Sequence, residues 1–349
     1  MLKNKMFVPA LLIAGLLSLH TVAQAQKKIK TIIVDAGHGG KDGGAHGGYE
    51  GGLGSWEKNI TLAISNKLVA ELQKDLPDVK IVPTRTTDIY QSPPEKANIA
   101  NQNHGDLFIC IHADAVQLQT GRRQIGTKSI VRQDVIYIGK GKKRKKKYGK
   151  KYNIVVPVYD YYKISSARTG TSIWLFAAHK TNDKLDAIEK GGQLGEDDDD
   201  QIDSTADSTF NNIDFSDTRE TRMLAQVYAK RYQEKSIELA DLINDEIAST
   251  NRPALGVYQR QKGIWVLQAT NMPAVLIETG FITNYNDERY LNSDAGQEEI
   301  AECIARAIIK YKEQVENSKT VSVPAAAATP DPVPANVTDS TTKDSTKVQ

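Results

Sequence analysis

The sequence predicts an α/β fold, in which a mostly parallel, twisted sheet carries helices on both faces in a single domain with long insertions. Two observations support this prediction. Short apolar runs alternate with amphipathic segments in the order β-α-β-α-β, as expected for parallel strands joined by crossover helices. The apolar runs are also continuous rather than alternating, which is typical of strands covered on both faces.

The first five predicted elements follow this alternation. Runs of β-branched and other apolar residues identify the strands, and apolar residues that recur every three or four positions identify the helices. In chain order, the elements are a strand at Thr31–Val34, a helix from Glu57 to about Asp75, a strand at Val79–Arg85, a helix from Pro93 to about Asn103 and a strand at Asp106–Ile111.

The later elements are more widely spaced along the chain. They are identified by the same two patterns, and a final amphipathic helix closes the domain. In chain order, they are a strand at Thr171–Phe176, a short helix at Ala178–Lys190, a long helix at Arg219–Ala248, strands at Gly263–Leu267 and Ala274–Ile277, and a helix from about Ala295 to Gln314.

Two predicted insertions interrupt this order, at about residues 117–165 and 178–217. The first is expected to be irregular, and it contains a dense basic run between Lys140 and Lys151. Such a run is typical of a solvated loop, and the alternative is a contact to an anionic polymer or a membrane face. The second insertion is acidic and poor in apolar residues from Gly191 to Asp217, which predicts a mobile segment.

Both ends of the chain are expected to lie outside the folded domain, which is predicted at residues 26–318. Residues 1–25 have the features of a signal peptide: Lys3 and Lys5, an apolar stretch too short to span a bilayer comfortably, and a small-x-small site at Ala23–Ala25. The mature chain, with no stable membrane span, is therefore expected to be secreted across the inner membrane to the periplasm or cell envelope. Residues 319–349 are predicted to form a disordered tail.

The charge balance argues against nucleic acid as a partner. The chain carries 45 basic and 43 acidic residues, and loss of Lys3 and Lys5 with the signal peptide leaves a formally neutral protein. A protein that attracts nucleic acid through its overall field carries a strong net positive charge.

Four side chains with metal-binding or acid–base capability are predicted to meet at one edge of the sheet. His38, His112 and Glu278 each follow the carboxyl end of an apolar strand, and Glu57 opens the first helix. The carboxyl ends of parallel strands lie along one edge, where ligands bind. Two imidazoles and one carboxylate suit Zn²⁺ with an open position for water, and the fourth residue can act as general base. Two alternatives stay open: His46 as a ligand, and His38 as a surface residue in a glycine-rich turn.

Short motifs around these residues resemble the zinc-dependent N-acetylmuramoyl-L-alanine amidases. The motifs occur in the order of that family and cover about residues 28–314 apart from the insertions. They are GHGG at 37–40, EKN at 57–59, TR at 84–85, IHADA at 111–115 and PAVLIETGFITN at 273–284.

The resemblance implies a single α/β domain that uses Zn²⁺ to hydrolyse peptidoglycan. It makes His38, Glu57 and His112 the zinc ligands and Glu278 the catalytic carboxylate. The bond cut would be the amide between the lactyl group of N-acetylmuramic acid and L-alanine of the stem peptide, in cell-wall remodelling or daughter-cell separation. The alternatives are a zinc metallo-carboxypeptidase and an envelope-binding protein that has lost turnover.

One departure from the family pattern and one further correspondence concern Lys96 and the second insertion. Lys96 stands where members of the family often have arginine. The second insertion lies where some cell-division amidases carry an inhibitory helix, and Glu189 is the nearest candidate for its metal-binding glutamate. The resemblance therefore implies self-inhibition that an activator protein relieves by acting on the insertion near Glu189.

Overall fold

Two separate β-sheets are present in the computed structural model, which describes residues 28–177, 219–260 and 264–317. The larger sheet has six strands and the smaller has two. In chain order, the strands are β1 (Thr31–Ala36), β2 (Lys80–Pro83), β3 (Leu107–Asp114), β4 (Gln119–Ile138), β5 (Lys145–Ile164), β6 (Thr171–Phe176), β7 (Ala254–Arg260) and β8 (Ala274–Phe281).

The larger sheet confirms the predicted, mostly parallel architecture. Its strand order is β2-β1-β3-β8-β6-β7, and β2, β1, β3 and β8 run parallel to one another. β6 runs antiparallel to β8, and β7 runs parallel to β6. The parallel strands have their carboxyl ends on one edge, as the site prediction requires.

Helices cover both faces of this sheet, also as predicted. One face packs against α1 (Glu57–Asp75), α3 (Arg219–Ala248) and α6 (Asp294–Asn317), and the other against α2 (Pro93–Gln102) and the short α4 (Trp265–Ala269). Successive side chains of a strand point to opposite faces of the sheet. Ile32 therefore packs in the core on the first face and Ile33 in the core on the second. A further short helix, α5 (Tyr285–Leu291), follows β8.

The start of α2 shows how local sequence fixes an element. Ser92 is the residue before the helix, and its side chain accepts a hydrogen bond from the backbone N–H of Glu95, whose carboxylate accepts in turn from the N–H of Ser92. This reciprocal capping box satisfies two backbone donors that a helix start leaves free. Pro93 follows at the first helical position, where its missing N–H costs nothing.

The strand prediction at Gly263–Leu267 is wrong. The described part of that stretch begins with Ile264 and enters α4 at Trp265. Val266 and Leu267 are buried in the second core, so the stretch is as apolar as a buried strand. A short apolar run cannot be assigned to strand or buried helix from periodicity alone. The edge strand beside β6 is instead β7, which was not predicted from the sequence.

The expectation that residues 117–165 are irregular is also wrong. β4 and β5, of 20 residues each, pair along their length as an antiparallel hairpin joined by a short 3₁₀ turn at Gly141–Lys143. The stretch is rich in tyrosine and β-branched residues, which favour strands. Most of these side chains are exposed, so the burial pattern that usually identifies a strand is missing.

Several predictions lie outside the described residues. They are the signal peptide at 1–25, the short helix Ala178–Lys190, the acidic stretch Gly191–Asp217 and the tail at 319–349. Within the described ranges, every helix is too short or too polar to cross a lipid bilayer.

Candidate metal centre

The fold brings the four predicted residues to the same end of the parallel strands. His112 in β3 and Glu278 in β8 are directly paired across neighbouring strands. His38 lies two residues after the end of β1, which is the other neighbour of β3, and Glu57 is the first residue of α1. Strand register therefore sets the spacing between His112 and Glu278. The loop after β1 positions His38 and leads to Glu57 at the start of α1.

Three of these residues form a compact group of possible metal ligands. One ligand atom from each of His38, Glu57 and His112 can be chosen so that all lie within 4.8 Å of one another. The two oxygens of Glu57 are divided between the histidines: Oε2 lies 3.1 Å from His38 Nε2, and Oε1 lies 2.8 Å from His112 Nδ1. Two imidazoles and one carboxylate are a donor set that suits zinc.

Backbone donors hold the Glu57 carboxylate in place. Oε2 accepts a hydrogen bond from the N–H of Ala45 at 2.8 Å, and Oε1 accepts from the N–H of Ala113 at 3.0 Å. Ala45 belongs to the loop after β1 and Ala113 to β3, so the carboxylate joins two elements that carry the other ligands. The side chain is almost fully buried, which fixes its position further.

Glycine is required on both sides of this group. A Cβ atom on Gly37 would lie 2.6 Å from the His112 ring and 2.8 Å from the carbonyl oxygen of Ile111. A Cβ atom on Gly44 would lie 2.5 Å from Glu57 Oε2, and the backbone of Gly44 has a positive φ of 64°. The glycines therefore leave the room that the three ligands occupy.

The three residues also stabilise one another electrostatically. Burial alone would lower the pKa of His38, but hydrogen bonds and charge from Asp42 and Glu57 raise it to about 10. Burial alone would raise the pKa of Glu57, but the two histidines hold it well below its usual range. The carboxylate is therefore ionised, as a metal ligand must be.

Glu278 differs from Glu57 in both contacts and charge. It is buried, and its Oε2 atom has no hydrogen-bond partner among the described residues. Burial, followed by the negative charges of Glu57 and Asp114, raises the pKa of Glu278 well above its usual value. A buried carboxyl group with one oxygen free of hydrogen bonds and a raised pKa is suited to proton transfer.

A buried ion pair holds the end of β1 next to the site. The Lys96 Nζ atom lies 3.1 Å from Asp35 Oδ1 and donates to the carbonyl of Ala36 at 2.7 Å. Asp35 also accepts hydrogen bonds from Thr84 and Cys110. Lys96, the position that departs from the family pattern, therefore fixes the end of β1 just before the glycine-rich loop.

Arg85 has a structural role in the same loop. Its guanidinium donates to the carbonyl oxygens of Ala36, Gly37 and Lys58 at 2.8 to 3.1 Å. Beside it, Asp88 Oδ2 lies 2.7 Å from Lys58 Nζ. The buried Arg85 side chain thus ties the end of β1 to the start of α1.

Three further residues, His46, Asp42 and Glu189, remain to be placed relative to the ligand group. His46 stacks on Trp56 with ring centroids 4.2 Å apart and is absent from the ligand group found in the described residues. Asp42, which was not predicted from the sequence, has its Oδ2 atom 2.7 Å from His38 Nδ1. The signal was an acidic residue four positions after a histidine, inside a loop otherwise rich in glycine. Glu189 lies outside the described residues.

Comparison with known proteins gives a family that agrees with this geometry. The model of the N-acetylmuramoyl-L-alanine amidase family matches residues 32–310. N-acetylmuramoyl-L-alanine amidase AmiA of Escherichia coli is 25% identical over 308 residues, which cover 87% of this chain and 84% of that protein. A Haemophilus influenzae protein named "Probable N-acetylmuramoyl-L-alanine amidase AmiB" is 27% identical over 285 residues, which cover 80% of this chain.

The coverage of the relatives varies. The match spans 52% of the Haemophilus protein and 52% of the Escherichia coli amidase AmiC, so the chain covers about half the length of these relatives. Among solved structures, an N-acetylmuramoyl-L-alanine amidase from Clostridium difficile 630 aligns with a TM-score of 0.48 at 21% identity, over 82% of this chain and 97% of that chain. Because the family model matches residues 32–310, which is most of the chain, this protein belongs to the N-acetylmuramoyl-L-alanine amidase family.

Proposed function

We propose that this chain is a zinc-dependent N-acetylmuramoyl-L-alanine amidase that hydrolyses peptidoglycan at the amide between N-acetylmuramic acid and L-alanine of the stem peptide. The observation that supports this most is the group of possible ligand atoms on His38, Glu57 and His112, close to a buried carboxyl group on Glu278. Membership of the family supports the choice of substrate and of zinc.

In this proposal, His38, Glu57 and His112 hold the metal. A zinc ion held by these residues would polarise the scissile carbonyl and lower the pKa of a water molecule toward neutrality. Asp42 orients His38 by binding its Nδ1 atom. Ala45 and Ala113 orient Glu57 through their backbone N–H groups.

Glu278 is the proposed proton-transfer group. Its unpaired Oε2 atom accepts a proton from the attacking water and passes that proton to the nitrogen of the leaving L-alanine. The raised pKa of Glu278 favours both steps, because a weaker acid accepts a proton more readily and still returns it to a more basic amine.

We propose further that the protein acts in the periplasm or cell envelope, with residues 1–25 removed, residues 26–318 as the catalytic domain and residues 319–349 as a disordered tail. The composition of residues 1–25 supports export. Amino-terminal sequencing of the exported protein should find Gln26 first. A mature chain that still begins at Met1 would contradict the proposed cleavage.

An activator protein that acts on the insertion near Glu189 is also proposed. The support is the position of the insertion, between β6 and α3, where some cell-division amidases carry an inhibitory helix. Deleting residues 178–217 should raise the basal rate of peptidoglycan hydrolysis. An unchanged rate, with the metal content preserved, would remove self-inhibition from the account.

The experiment that tests the function is mass analysis of peptidoglycan digested with the zinc-loaded and the chelated protein. The proposal predicts free stem peptides that begin with L-alanine, glycan strands that keep their lactyl groups, and no products after chelation. Loss of a carboxyl-terminal amino acid from the stem peptide would indicate a metallo-carboxypeptidase. Binding to the polymer without any new amine would indicate an envelope-binding protein.

A further inference from the structure

The β4–β5 hairpin concentrates positive charge in a protein that has little overall. Between Gln119 and Ile164, the chain has fourteen lysine and arginine residues and two aspartates, whereas the whole chain has a formal charge of +2. Nine of these basic residues lie between Lys140 and Lys151, with no acidic residue among them. The turn of the hairpin and the adjoining part of β5 therefore form a dense basic cluster.

The same end of the hairpin exposes large apolar side chains. Ile136, Tyr137 and Ile138, the last residues of β4, are 56%, 47% and 54% exposed. Val135 and Tyr148 beside them are also exposed. Exposed apolar side chains rimmed by polar groups are typical of surfaces that bind a partner or a membrane. We call residues 135–148 the hairpin tip.

The register of the strands places apolar and basic side chains next to each other on both faces of the hairpin tip. Directly opposed residues of an antiparallel pair project on the same face. An apolar or aromatic side chain from β4 therefore lies beside a lysine from β5 at each of three successive positions. The pairs are Ile136 with Lys147, Tyr137 with Lys146, and Ile138 with Lys145.

Tyr137 also joins the apolar and basic groups directly. The guanidinium of Arg144 lies 4.6 Å and the ammonium of Lys146 lies 5.9 Å from the centre of the Tyr137 ring. Both distances are within the range of cation–π interactions. The tyrosine thus holds two of the positive charges against the apolar edge of β4.

We propose that the hairpin tip docks the protein on an anionic phospholipid bilayer. Clusters of about four to eight basic residues are sufficient to attract a protein to anionic lipids, and the hairpin tip with its flanks exceeds that number. Exposed isoleucines can enter the boundary between headgroups and acyl chains, where tyrosine is also favoured. Lysine stems can lie along that boundary while their ammonium groups reach the phosphates.

The apolar side chains favour a bilayer over a soluble anionic polymer. A polymer would neutralise the lysines, but it would leave Ile136 and Ile138 in water, where their exposure costs free energy. Only a surface that offers both negative charge and an apolar layer satisfies both kinds of side chain. A bilayer would therefore contact both the basic and the apolar side chains of the hairpin tip, whereas a soluble polymer would contact only the basic ones.

The base of the hairpin is tied to the catalytic domain. Arg123 Nη1 lies 2.6 Å from Glu50 Oε1, and the N–H of Glu50 donates to the carbonyl of Lys163 at 2.9 Å. Glu50 belongs to the loop between β1 and α1 that carries His38. Membrane docking of the hairpin tip would thus tether the catalytic domain to the bilayer through the length of the hairpin, and it does not depend on which bond the site cuts.

The test is co-sedimentation of the full chain with vesicles of phosphatidylcholine alone or mixed with phosphatidylglycerol. We expect binding to the anionic vesicles only, weakened by high salt. Substituting Lys145→Gln, Lys146→Gln and Lys147→Gln together should weaken that binding at least about tenfold. Substituting Lys30→Gln, Lys74→Gln and Lys80→Gln, exposed lysines outside the hairpin, makes the same change in charge and should leave binding within about twofold.

A second variant separates the bilayer from a soluble polymer. Ile136→Ser with Ile138→Ser keeps every charge, so it should weaken vesicle binding severalfold while its salt-dependent retention on a sulfated polysaccharide column stays unchanged. Each variant is compared at an unchanged melting temperature. The proposal is overturned if the wild type does not prefer anionic vesicles. It is also overturned if the isoleucine variant binds vesicles as well as the wild type, because the surface would then recognise charge alone.

Discussion

His38 combines an uncommon backbone conformation with two side-chain contacts. Its φ of 58° lies in the left-handed region, which few residues other than glycine adopt. From that position, its Nε2 atom faces Glu57 and its Nδ1 atom faces Asp42. Asp42 thereby fixes the orientation of the ring. Because Asp42 binds Nδ1, the Nε2 atom is left facing the ligand group.

Replacing Asp42 with asparagine should weaken the metal site without destroying it. The substitution keeps an oxygen that can accept from His38 Nδ1, but it removes the negative charge that raises the pKa of His38. Loss of such an outer partner typically costs about 10- to 100-fold in metal affinity or activity. Competition with a chromogenic zinc chelator measures the change. An unchanged zinc affinity would mean that Asp42 does not support the site.

Gly37→Ala tests whether the His112 ring needs the room left by the missing side chain of Gly37. The new methyl group would lie 2.6 Å from the imidazole and 2.8 Å from a backbone oxygen that cannot move easily. We expect His112 to be displaced, with zinc content and turnover both falling by at least about tenfold. Gly126→Ala is the matched control, because its added Cβ meets nothing within 4 Å. Wild-type zinc content in Gly37→Ala would contradict the proposed packing.

At the scale of elements, the positions where the apolar strands end predict more of the site than any single motif does. The continuous apolar runs ending before His38 and around His112 and Glu278 were enough to predict parallel strands with their carboxyl ends together. That arrangement does not specify which strands are neighbours, so the pairing of His112 with Glu278 comes from the structure. The loop between β1 and α1 could not be predicted, because its shape depends on long-range contacts. Glu288 in α5, for example, accepts from the Tyr49 hydroxyl and the Leu53 and Ser55 N–H groups.

The two wrong predictions of elements have different physical causes. Ile264–Leu267 is apolar and short, and both a strand and a helix would bury it, so only the tertiary packing of α4 decides between them. In the β4–β5 hairpin, backbone pairing forms without a buried face, so the sequence lacks the apolar periodicity that identifies strands. The first error concerns the local conformation of a buried segment. The second concerns a hairpin whose exposed apolar side chains are not buried by the folding of the domain.

The buried ion pair between Lys96 and Asp35 predicts a large stability effect. Lys96→Met would leave the Asp35 carboxylate buried without its cation, which typically costs about 3–5 kcal/mol. The double variant Lys96→Met with Asp35→Asn should recover part of that loss. Urea unfolding measures both, with exposed Lys74→Met as a control expected to stay within about 0.5 kcal/mol of the wild type. A loss below about 1 kcal/mol in the single variant would contradict the proposed role.

The same pair gives a pH dependence with a definite sign. Burial alone would raise the pKa of Asp35, but Lys96 and the hydrogen bonds from Cys110 and Thr84 lower it overall. A lowered pKa in the folded state adds stability that is present above the ordinary aspartate pKa of 3.8 and is lost as pH falls through the folded value. The difference in unfolding free energy between the wild type and Lys96→Met should therefore shrink below about pH 4. A difference that stays constant from pH 6 to pH 3 would exclude Asp35 as its source.

On the scale of the whole molecule, the protein combines a candidate metal centre with a hairpin that contributes no residue to the ligand group found in the described part of the chain. All four proposed site residues belong to the larger sheet, to the loop after β1 or to α1. The hairpin is a separate two-stranded sheet. An isolated two-stranded hairpin is marginally stable in water, so contact with a partner surface would also help to order it.

Removal of most of the hairpin tests this separation. Replacing residues 125–158 with Asn-Gly keeps the pair Gln124–Tyr159 and supplies a tight turn that joins antiparallel strands. We expect zinc content and hydrolysis of soluble muropeptides within about twofold of the wild type, because the base contacts at Glu50 and Lys163 remain. A loss of zinc in a shortened chain that still unfolds cooperatively would show that the hairpin supports the metal centre.

The central claim is that His38, Glu57 and His112 bind one zinc ion while Glu278 transfers the proton. The most direct measurement is zinc content together with turnover in purified Glu278→Gln and His112→Ala, with the exposed His104→Asn as control. Glu278→Gln should retain about one zinc ion per chain and lose at least about 100-fold in turnover, whereas His112→Ala should lose both. Full activity in either variant, or full zinc content in His112→Ala, would contradict the account.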